Sequence, residues 1–178
     1  MTNTQTEKYL NSFNVKDEYK ELTLQQIQAK AKQLTKGFAV AAFNLKGDLN
    51  LGSIIRTALL TGAENFYILG HRQFDRRSSV GAQNYINVEK HDECVDWLTS
   101  EKAIIGKGYS PTVVEQGGVI FKDWLAIPIY NSNSLPPCFI FGPEEGFKDD
   151  WPAHIELEQT SVGRSYNVSA AAAIVLYQ

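Results

Sequence analysis

The stretch Phe38-Ala39-Val40-Ala41-Ala42-Phe43 is an unbroken apolar run, which is typical of a strand buried on both faces of a sheet. A turn-rich loop over 44–50 follows, and apolar residues then recur at helical spacing over 51–61. Short apolar runs at 66–69 and 138–141 each end at a glycine. Strands that alternate with helices predict an α/β fold with a mainly parallel sheet and helices on both faces.

Weaker patterns predict the other elements. Thr23 can cap a helix that runs through 24–34 and ends before Gly37. Residues 1–37 thus hold one predicted helix ahead of the apolar run at 38–43. Beyond residue 70 the patterns predict a helix at 92–98, strands at 103–105, 126–130 and 155–157, and an alanine-rich helix at 168–177.

Composition and length favour one cytoplasmic domain. The chain has 178 residues, 43% of them hydrophobic, which is enough for a buried core. No apolar run approaches the roughly 18 residues that span a bilayer, and the polar start at Met1 lacks a signal-peptide core. Cys94 and Cys138 lie far apart, and the three histidines show no metal-ligand spacing. We therefore expect no membrane partner, no disulfide framework and no metal ion.

The net charge of −3 hides an uneven distribution. Residues 1–77 carry eleven Lys and Arg against seven Asp and Glu, whereas residues 78–178 carry six against thirteen. A loop that contains Arg72, Arg76 and Arg77 is a candidate phosphate clamp. The distribution permits a nucleic-acid partner, although solvated lysines on helices are the more common explanation of such a pattern.

Three loops combine small, polar and charged residues near predicted strand ends, where ligands gather in parallel α/β sheets. The first begins a helix with Asn50-Leu51-Gly52 and carries Arg56 one to two turns further in. The second is Phe141-Gly142-Pro143-Glu144-Glu145-Gly146, directly after a buried strand. The third is Ser165-Tyr166-Asn167-Val168-Ser169, which leads into four successive alanines. Taken singly, two helix caps and a Gly-Pro turn would explain these loops.

Together and in this order, the loops resemble the three motifs of the SpoU (TrmH-like) family of S-adenosylmethionine-dependent RNA 2′-O-ribose methyltransferases, in the SPOUT class. The motifs read N-x-G-x-x-x-R-T-A, F-G-x-E with a following glycine, and S-x-N-x-S before a small-residue helix. The resemblance covers about residues 38–178. It has two departures: one residue fewer separates Glu144 from Gly146, and Tyr166 stands where the family has Leu or Met.

The resemblance implies a C-terminal deep trefoil knot, in which residues 142–178 thread through an earlier loop. It also implies S-adenosylmethionine as cofactor, an RNA substrate (tRNA rather than rRNA) and a homodimer formed through the knot region. The motif 1 arginine of the family, here Arg56, deprotonates or orients the ribose hydroxyl. The matching positions that shape the catalytic site around it are Asn50, Glu144, Ser165 and Asn167.

The resemblance also implies two sets of binding residues. By position, the cofactor would meet the ends of three predicted strands and motif 3, at Ile104, Gly106, Gly142, Leu157, Ser165 and Tyr166. The candidate RNA-binding residues are Arg56, Arg72, Arg76 and Arg77. Two alternatives stay open. A related SPOUT group methylates a base nitrogen of ribosomal RNA and has a similar second motif, and a catalytically silent relative would bind RNA only.

Overall fold

The computed structural model describes residues 15–45, 48–126, 134–148 and 150–177. Its strands are β1 Ala39–Phe43, β2 Asn65–Leu69, β3 Asn87–His91, β4 Ser110–Ile120, β5 Pro137–Phe141 and β6 Ile155–Glu156. Its α-helices are α1 Leu24–Gln33, α2 Asp48–Thr61, α3 Arg76–Ser79, α4 Trp97–Gly106, α5 Phe121–Ala126 and α6 Val168–Leu176. Short 3-10 helices lie at Asp17–Tyr19 and Ala82–Asn84.

The six strands form one parallel sheet in the order β3-β2-β1-β5-β4-β6. All five residues of β1 are buried, and Ala41 pairs with Tyr67 of β2 on one side and Ile140 of β5 on the other. A strand with neighbours on both sides and helices on both faces has no polar side, so an unbroken apolar run suits it. The predicted parallel α/β fold is confirmed.

The sheet separates two hydrophobic cores, because successive side chains of a strand point to opposite faces. On one face, Val40 and Ala42 pack with the buried sides of α2 and α6. On the other face, Ala39 and Ala41 pack with Ile104 of α4. The prediction of helices on both faces is therefore confirmed.

The predicted capped helix near the start of the chain is confirmed as α1. The Gln26 N–H donates to Thr23 Oγ1 over 3.3 Å, and the Thr23 N–H donates to Gln26 Oε1 over 2.9 Å. This reciprocal pair satisfies two N–H groups that the first turn of a helix leaves without partners.

Two predicted elements between β3 and β4 are wrong. Residues 103–105 do not form a strand, because they belong to α4, and the predicted helix at 92–98 does not form, because α4 begins only at Trp97. Asp96 caps α4 by accepting from the Thr99 N–H over 2.9 Å. A three-residue apolar run inside such a helix cannot be distinguished from a strand by its pattern alone.

The strand that the patterns missed is β4, and it is irregular. Val114 and Val119 both pair with Ile155, and Gly117 between them has a φ of +88°. Of the predicted strand at 126–130, Ala126 ends α5 and the other residues lie outside the described part of the chain. The trefoil knot stays a prediction.

Candidate functional site

A cleft opens at the carboxyl ends of β4, β5 and β6. Because parallel strands point the same way, their ends meet at one edge of the sheet, and loops from distant parts of the sequence become neighbours there. The second and third sequence motifs both contribute to the wall. The lining residues are Val114, Glu115, Gln116, Gly142, Pro143, Glu144, Glu145, Gly146, Leu157, Gln159, Arg164, Ser165, Tyr166, Val168 and Ala171.

The first motif is linked to this cleft by the side chain of Asn50. Its Nδ2 donates to Glu144 Oε1 over 2.8 Å, and its Oδ1 accepts from Asn167 Nδ2 over 3.2 Å. Asn167 Oδ1 accepts in turn from the N–H and the hydroxyl of Ser169, over 2.9 and 2.6 Å. One chain of hydrogen bonds therefore connects all three motifs, although 94 and 117 residues separate its partners in sequence.

Asn50 does not cap its helix, contrary to the sequence-based expectation. Helix α2 begins two residues earlier, at Asp48, so Asn50 lies inside the first turn. Its amide is therefore directed across the cleft edge to the other two loops. Asn167 does take the cap position of α6, where its side chain accepts from the Ser169 N–H.

The motif 2 loop needs its two glycines for different reasons. A Cβ on Gly142 would overlap the Phe147 ring, which packs directly over that backbone. Gly146 has a φ of +87°, which L-residues with a Cβ rarely adopt, and its N–H donates to the Pro143 carbonyl over 2.9 Å in a tight turn. Phe147 is fixed behind the loop by a stacked contact with Trp151, at 4.4 Å between ring centroids.

Glu115 of β4 closes this short loop from the opposite side. Its Oε2 accepts from the Phe147 N–H over 3.2 Å, and its Oε1 accepts from the Gln116 N–H over 2.8 Å. One carboxylate thus ties the end of β4 to the loop after β5. This contact holds a motif 2 loop that is one residue shorter than the family pattern.

Two of the predicted cofactor residues do not lie at the cleft. Ile104 is fully buried in the core on the opposite face of the sheet, and Gly106 lies at the exposed end of α4. Both positions were assigned through the wrong strand at 103–105. The β4 residues that line the cleft are Val114, Glu115 and Gln116, at the point where β4 stops pairing with β5, and the Thr112-Val113-Val114 run is a weak sequence signal for them.

The other predicted cofactor residues do lie together. Gly142, Leu157, Ser165 and Tyr166 all line the cleft. The Tyr166 hydroxyl donates to the Glu158 carbonyl over 3.1 Å, which fixes its half-exposed ring beside β6. Ser165 also belongs to the predicted catalytic set of five residues. The structure brings four of the five together at the edge of the cleft, namely Asn50, Glu144, Ser165 and Asn167. Arg56 is the fifth.

The charged residues that line the cleft are mostly acidic. Glu115, Glu144 and Glu145 carry carboxylates, and Arg164 supplies the single cation in the lining. Glu115 is half-buried, whereas Glu144 and Glu145 are exposed, and an excess of negative charge at a cleft favours a positively charged ligand over a neutral one.

His154 supports the cleft from behind by holding β4. The Val113 N–H donates to His154 Nδ1 over 3.1 Å, and the His154 N–H donates to the Val113 carbonyl over 3.1 Å. The Nδ1 atom accepts this bond only in the neutral ring. Burial lowers the pKa of His154, which agrees with a neutral imidazole at this position.

Arg56 lies on the outer face of α2 and is exposed. It does not line the cleft; its helical neighbours Ser53 and Leu60 share its face. No protein group described by the structure bonds its guanidinium, so the side chain can meet a ligand that arrives from solvent. The expectation that Arg56 faces the loops of motifs 2 and 3 stays a prediction.

The three arginines of the basic loop are exposed, and one of them is committed to an ion pair. Arg77 Nε donates to Asp75 Oδ2 over 2.8 Å, and this hydrogen bond lowers the pKa of Asp75. Gly52 of motif 1 explains why this segment lies against α2: a Cβ there would overlap the Ser78 hydroxyl. The phosphate-clamp role of Arg72, Arg76 and Arg77 stays a prediction.

Two general expectations concern membranes and metals. No helix among the described residues is long and apolar enough to cross a bilayer. Near the end of β3, potential ligand atoms of His91, Glu93 and Cys94 lie within 4.8 Å of one another, closer than their sequence spacing suggested. His91 Nδ1 already lies 2.9 Å from Glu93 Oε1, which accounts for that ring nitrogen without an ion.

Comparison with known proteins gives one family match. Residues 37–177 match the model of the SpoU rRNA Methylase family. Among curated proteins, no significant match is found.

Solved structures of that family share the fold. The TrmH/SpoU tRNA modifying enzyme of A. aeolicus is 20% identical with a TM-score of 0.67, covering 86% of this chain and 79% of that one. The SpoU methyltransferase AviRb from Streptomyces viridochromogenes, solved with AdoMet, is 21% identical with a TM-score of 0.60, and the coverage is 83% and 58%. A structure described as giving insight into the 2-OH methylation of C/U34 on tRNA is 16% identical with a TM-score of 0.62, and the match covers 79% of this chain and 91% of that one.

Proposed function

The chain belongs to the SpoU rRNA methylase family of RNA methyltransferases, and from that premise we propose that it transfers a methyl group from S-adenosylmethionine to a ribose 2′-hydroxyl of RNA. The observation that carries the proposal is the hydrogen-bonded chain from Glu144 through Asn50 to Asn167. It joins the three motifs of the family at the edge of one cleft, within reach of the helix that bears Arg56.

The cleft suits S-adenosylmethionine chemically. Val114, Leu157 and Val168 offer an apolar wall for an adenine ring, and the adjacent loops present main-chain groups to its edge. The acidic lining favours a cationic ligand. When bound, S-adenosylmethionine supplies a methyl group that its sulfonium charge already activates.

In the transfer, the ribose 2′-oxygen would bond to the methyl carbon while the bond from that carbon to the sulfonium breaks, and the hydroxyl proton would pass to solvent water. The chain must align the hydroxyl for this step. An arginine has a pKa above about 12 and is a poor base, so we assign Arg56 to orienting the hydroxyl and holding the adjacent phosphate. Asn50 and Glu144 would hold the loops at the spacing that this alignment requires. Arg76 and Arg72, exposed on the neighbouring segment, would clamp phosphates further along.

Two finer assignments follow. Asn50, Arg56 and Asn167 are all present and belong to the ribose-modifying pattern, which favours a ribose over a base nitrogen. We propose tRNA rather than rRNA, supported by the two tRNA-related structures above, of whose lengths this chain covers 79% and 91%.

We also propose a homodimer through α6. This helix leaves Ala170, Ala173 and Ile174 exposed, and small residues allow two helices to approach closely. Light scattering should give about twice the 19.9 kDa chain mass; a monomer mass at working concentration would contradict it.

Substitution of Arg56 tests the proposed function. Because the side chain is exposed and makes no hydrogen bond or ion pair to the described residues, Arg56→Ala should change the free energy of unfolding by less than about 0.5 kcal/mol. Methyl transfer to RNA should be lost, while calorimetric titration still shows S-adenosylmethionine binding. The conservative Arg56→Lys variant keeps the charge but not the planar fork and should recover little activity. Turnover of Arg56→Ala close to the wild-type rate would refute the assignment.

A further inference from the structure

We propose that a basic groove beside α1 is a second RNA-binding surface, which holds the strand that leads away from the nucleotide at Arg56. The inference rests on the proposed function, since it takes RNA as the substrate. The groove lies between α1, the end of α2 and residues 83–88, and it encloses about 1010 Å³. It is separate from the cleft, because it adjoins the amino ends of β2 and β3 rather than the carboxyl ends of β4 to β6.

The charge of the groove is opposite to that of the chain as a whole. Four exposed lysines line it against the one carboxylate of Glu64, while the whole chain carries −3. The Glu64 carboxylate is already bonded, since its Oε2 accepts from the Tyr109 hydroxyl over 2.6 Å. The four lysines are Lys16, Lys30, Lys32 and Lys36. Within the described ranges, none of them forms an ion pair. A local cation excess of this kind attracts a polyanion.

The outer face of α2 connects the groove to Arg56. Arg56 and Leu60 are four residues apart, so they lie on the same face of the helix, and Leu60 lines the groove. Gly62, also in the lining, is six residues beyond Arg56. On α2 the lining starts at Leu59, three residues beyond Arg56, so at 1.5 Å per residue the groove spans about 4.5 to 9 Å along the helix axis from Arg56. These distances correspond to about one to three stacked nucleotides at about 3.4 Å each.

The walls also suit unpaired bases. Leu34 and Leu60 line the groove and are 60% and 66% exposed, so their side chains present apolar surface inside it. Tyr19 lines the same groove with a half-buried ring. Proteins that bind single strands combine a positive groove with apolar or aromatic surfaces on which bases stack.

A second copy of the chain fits this surface less well. In a symmetric dimer the same patch faces itself, so the lysines of one subunit would meet those of the other. Juxtaposed like charges oppose association, whereas phosphates neutralise them.

The test is the salt dependence of RNA binding by a triple variant, Lys30→Gln, Lys32→Gln and Lys36→Gln. Glutamine keeps the length and the helix propensity of lysine but removes its charge. The control variant removes the same charge elsewhere, at Lys102, Lys107 and Lys122. The probe is a fluorescent 20-nucleotide single-stranded RNA of mixed sequence, titrated by anisotropy between 0.05 and 0.3 M KCl.

If three phosphate contacts are lost, the slope of log K against log salt falls by about 2, at about 0.7 per contact. At 0.15 M salt this weakens binding about fiftyfold relative to wild type. The control should stay within about threefold, and both variants should bind S-adenosylmethionine as wild type does.

Equal slopes for the two variants would overturn the groove inference while leaving the proposed function intact. A groove variant that becomes monomeric where wild type and control are dimeric would also overturn it, because the groove would then be a subunit interface. If wild type binds neither this RNA nor S-adenosylmethionine, the proposed function fails together with the inference.

Discussion

Asn50 is the residue whose removal should separate the three loops without unfolding the chain. It makes two side-chain hydrogen bonds, one to the Glu144 carboxylate at 2.8 Å and one from the Asn167 amide at 3.2 Å. Each contributes about 1 kcal/mol, so Asn50→Ala removes about 2 kcal/mol of coupling between the loops. If binding of S-adenosylmethionine must bring the loops back together, this cost lowers the affinity for S-adenosylmethionine by a factor of about 30.

Asn87 provides a matched control at the other side of the sheet. Its Nδ2 also bridges an amide and a carboxylate, Asn65 Oδ1 at 2.9 Å and Glu89 Oε1 at 2.8 Å, but it lies on β3 outside the cleft. Asn87→Ala should therefore lose about as much stability as Asn50→Ala but should keep the wild-type affinity for S-adenosylmethionine. The two variants are compared by calorimetric titration with S-adenosylmethionine and by denaturant unfolding.

Hydrogen exchange locates the effect of Asn50→Ala. Amides of the loop at 142–148 should exchange faster in Asn50→Ala than in Asn87→Ala, whereas the amides of β1 should be unchanged in both. Equal affinities in the two variants, or unchanged exchange in the loop, would refute the view that this hydrogen-bonded chain holds the cleft together.

Two other predictions concern the residues that hold β4. Glu115→Gln keeps an acceptor for one N–H but removes the negative charge. S-adenosylmethionine should therefore bind more weakly, whereas the binding of the neutral demethylated product should be less affected. An equal loss of affinity for both ligands would contradict the electrostatic role of Glu115. Because the folded-state pKa of His154 is lowered, its stabilising effect is present above its usual value near 6.5 and is lost as the pH falls through the lower folded-state value. The free energy of unfolding of wild type, measured with denaturant, should thus fall more than that of His154→Gln as the pH drops below about 6.5. Parallel curves would show that His154 does not titrate this way.

Much of the fold was predictable because its central strand has an unambiguous pattern. The β1 run is apolar at every position, and all five residues of β1 are buried. The strand β4 was not predictable in the same way. Pro111 near its start and Gly117 in its bulge both weaken the strand pattern, and its pairing with Ile155 depends on a contact 41 residues away from Val114.

Only the part of the site that lies within the three motifs was predictable from the sequence. The order of Asn50, Glu144 and Asn167 along the chain indicated that they belong together, and the structure shows that they bond. Ile104 does not lie with them, because it was assigned through a predicted strand at 103–105 that is part of α4. Glu115 could not be identified at all, since its role arises from a contact with Phe147 that only the folded sheet creates.

Methylated nucleosides show where the methyl group goes and whether Arg56 is needed for its transfer. RNA is incubated with the protein and S-adenosylmethionine, digested to nucleosides and separated by mass spectrometry, with Arg56→Ala as the parallel sample. We expect a nucleoside methylated on its ribose, present with wild type and missing with the variant. A methyl group on a base, or the same ribose product from both proteins, would contradict it.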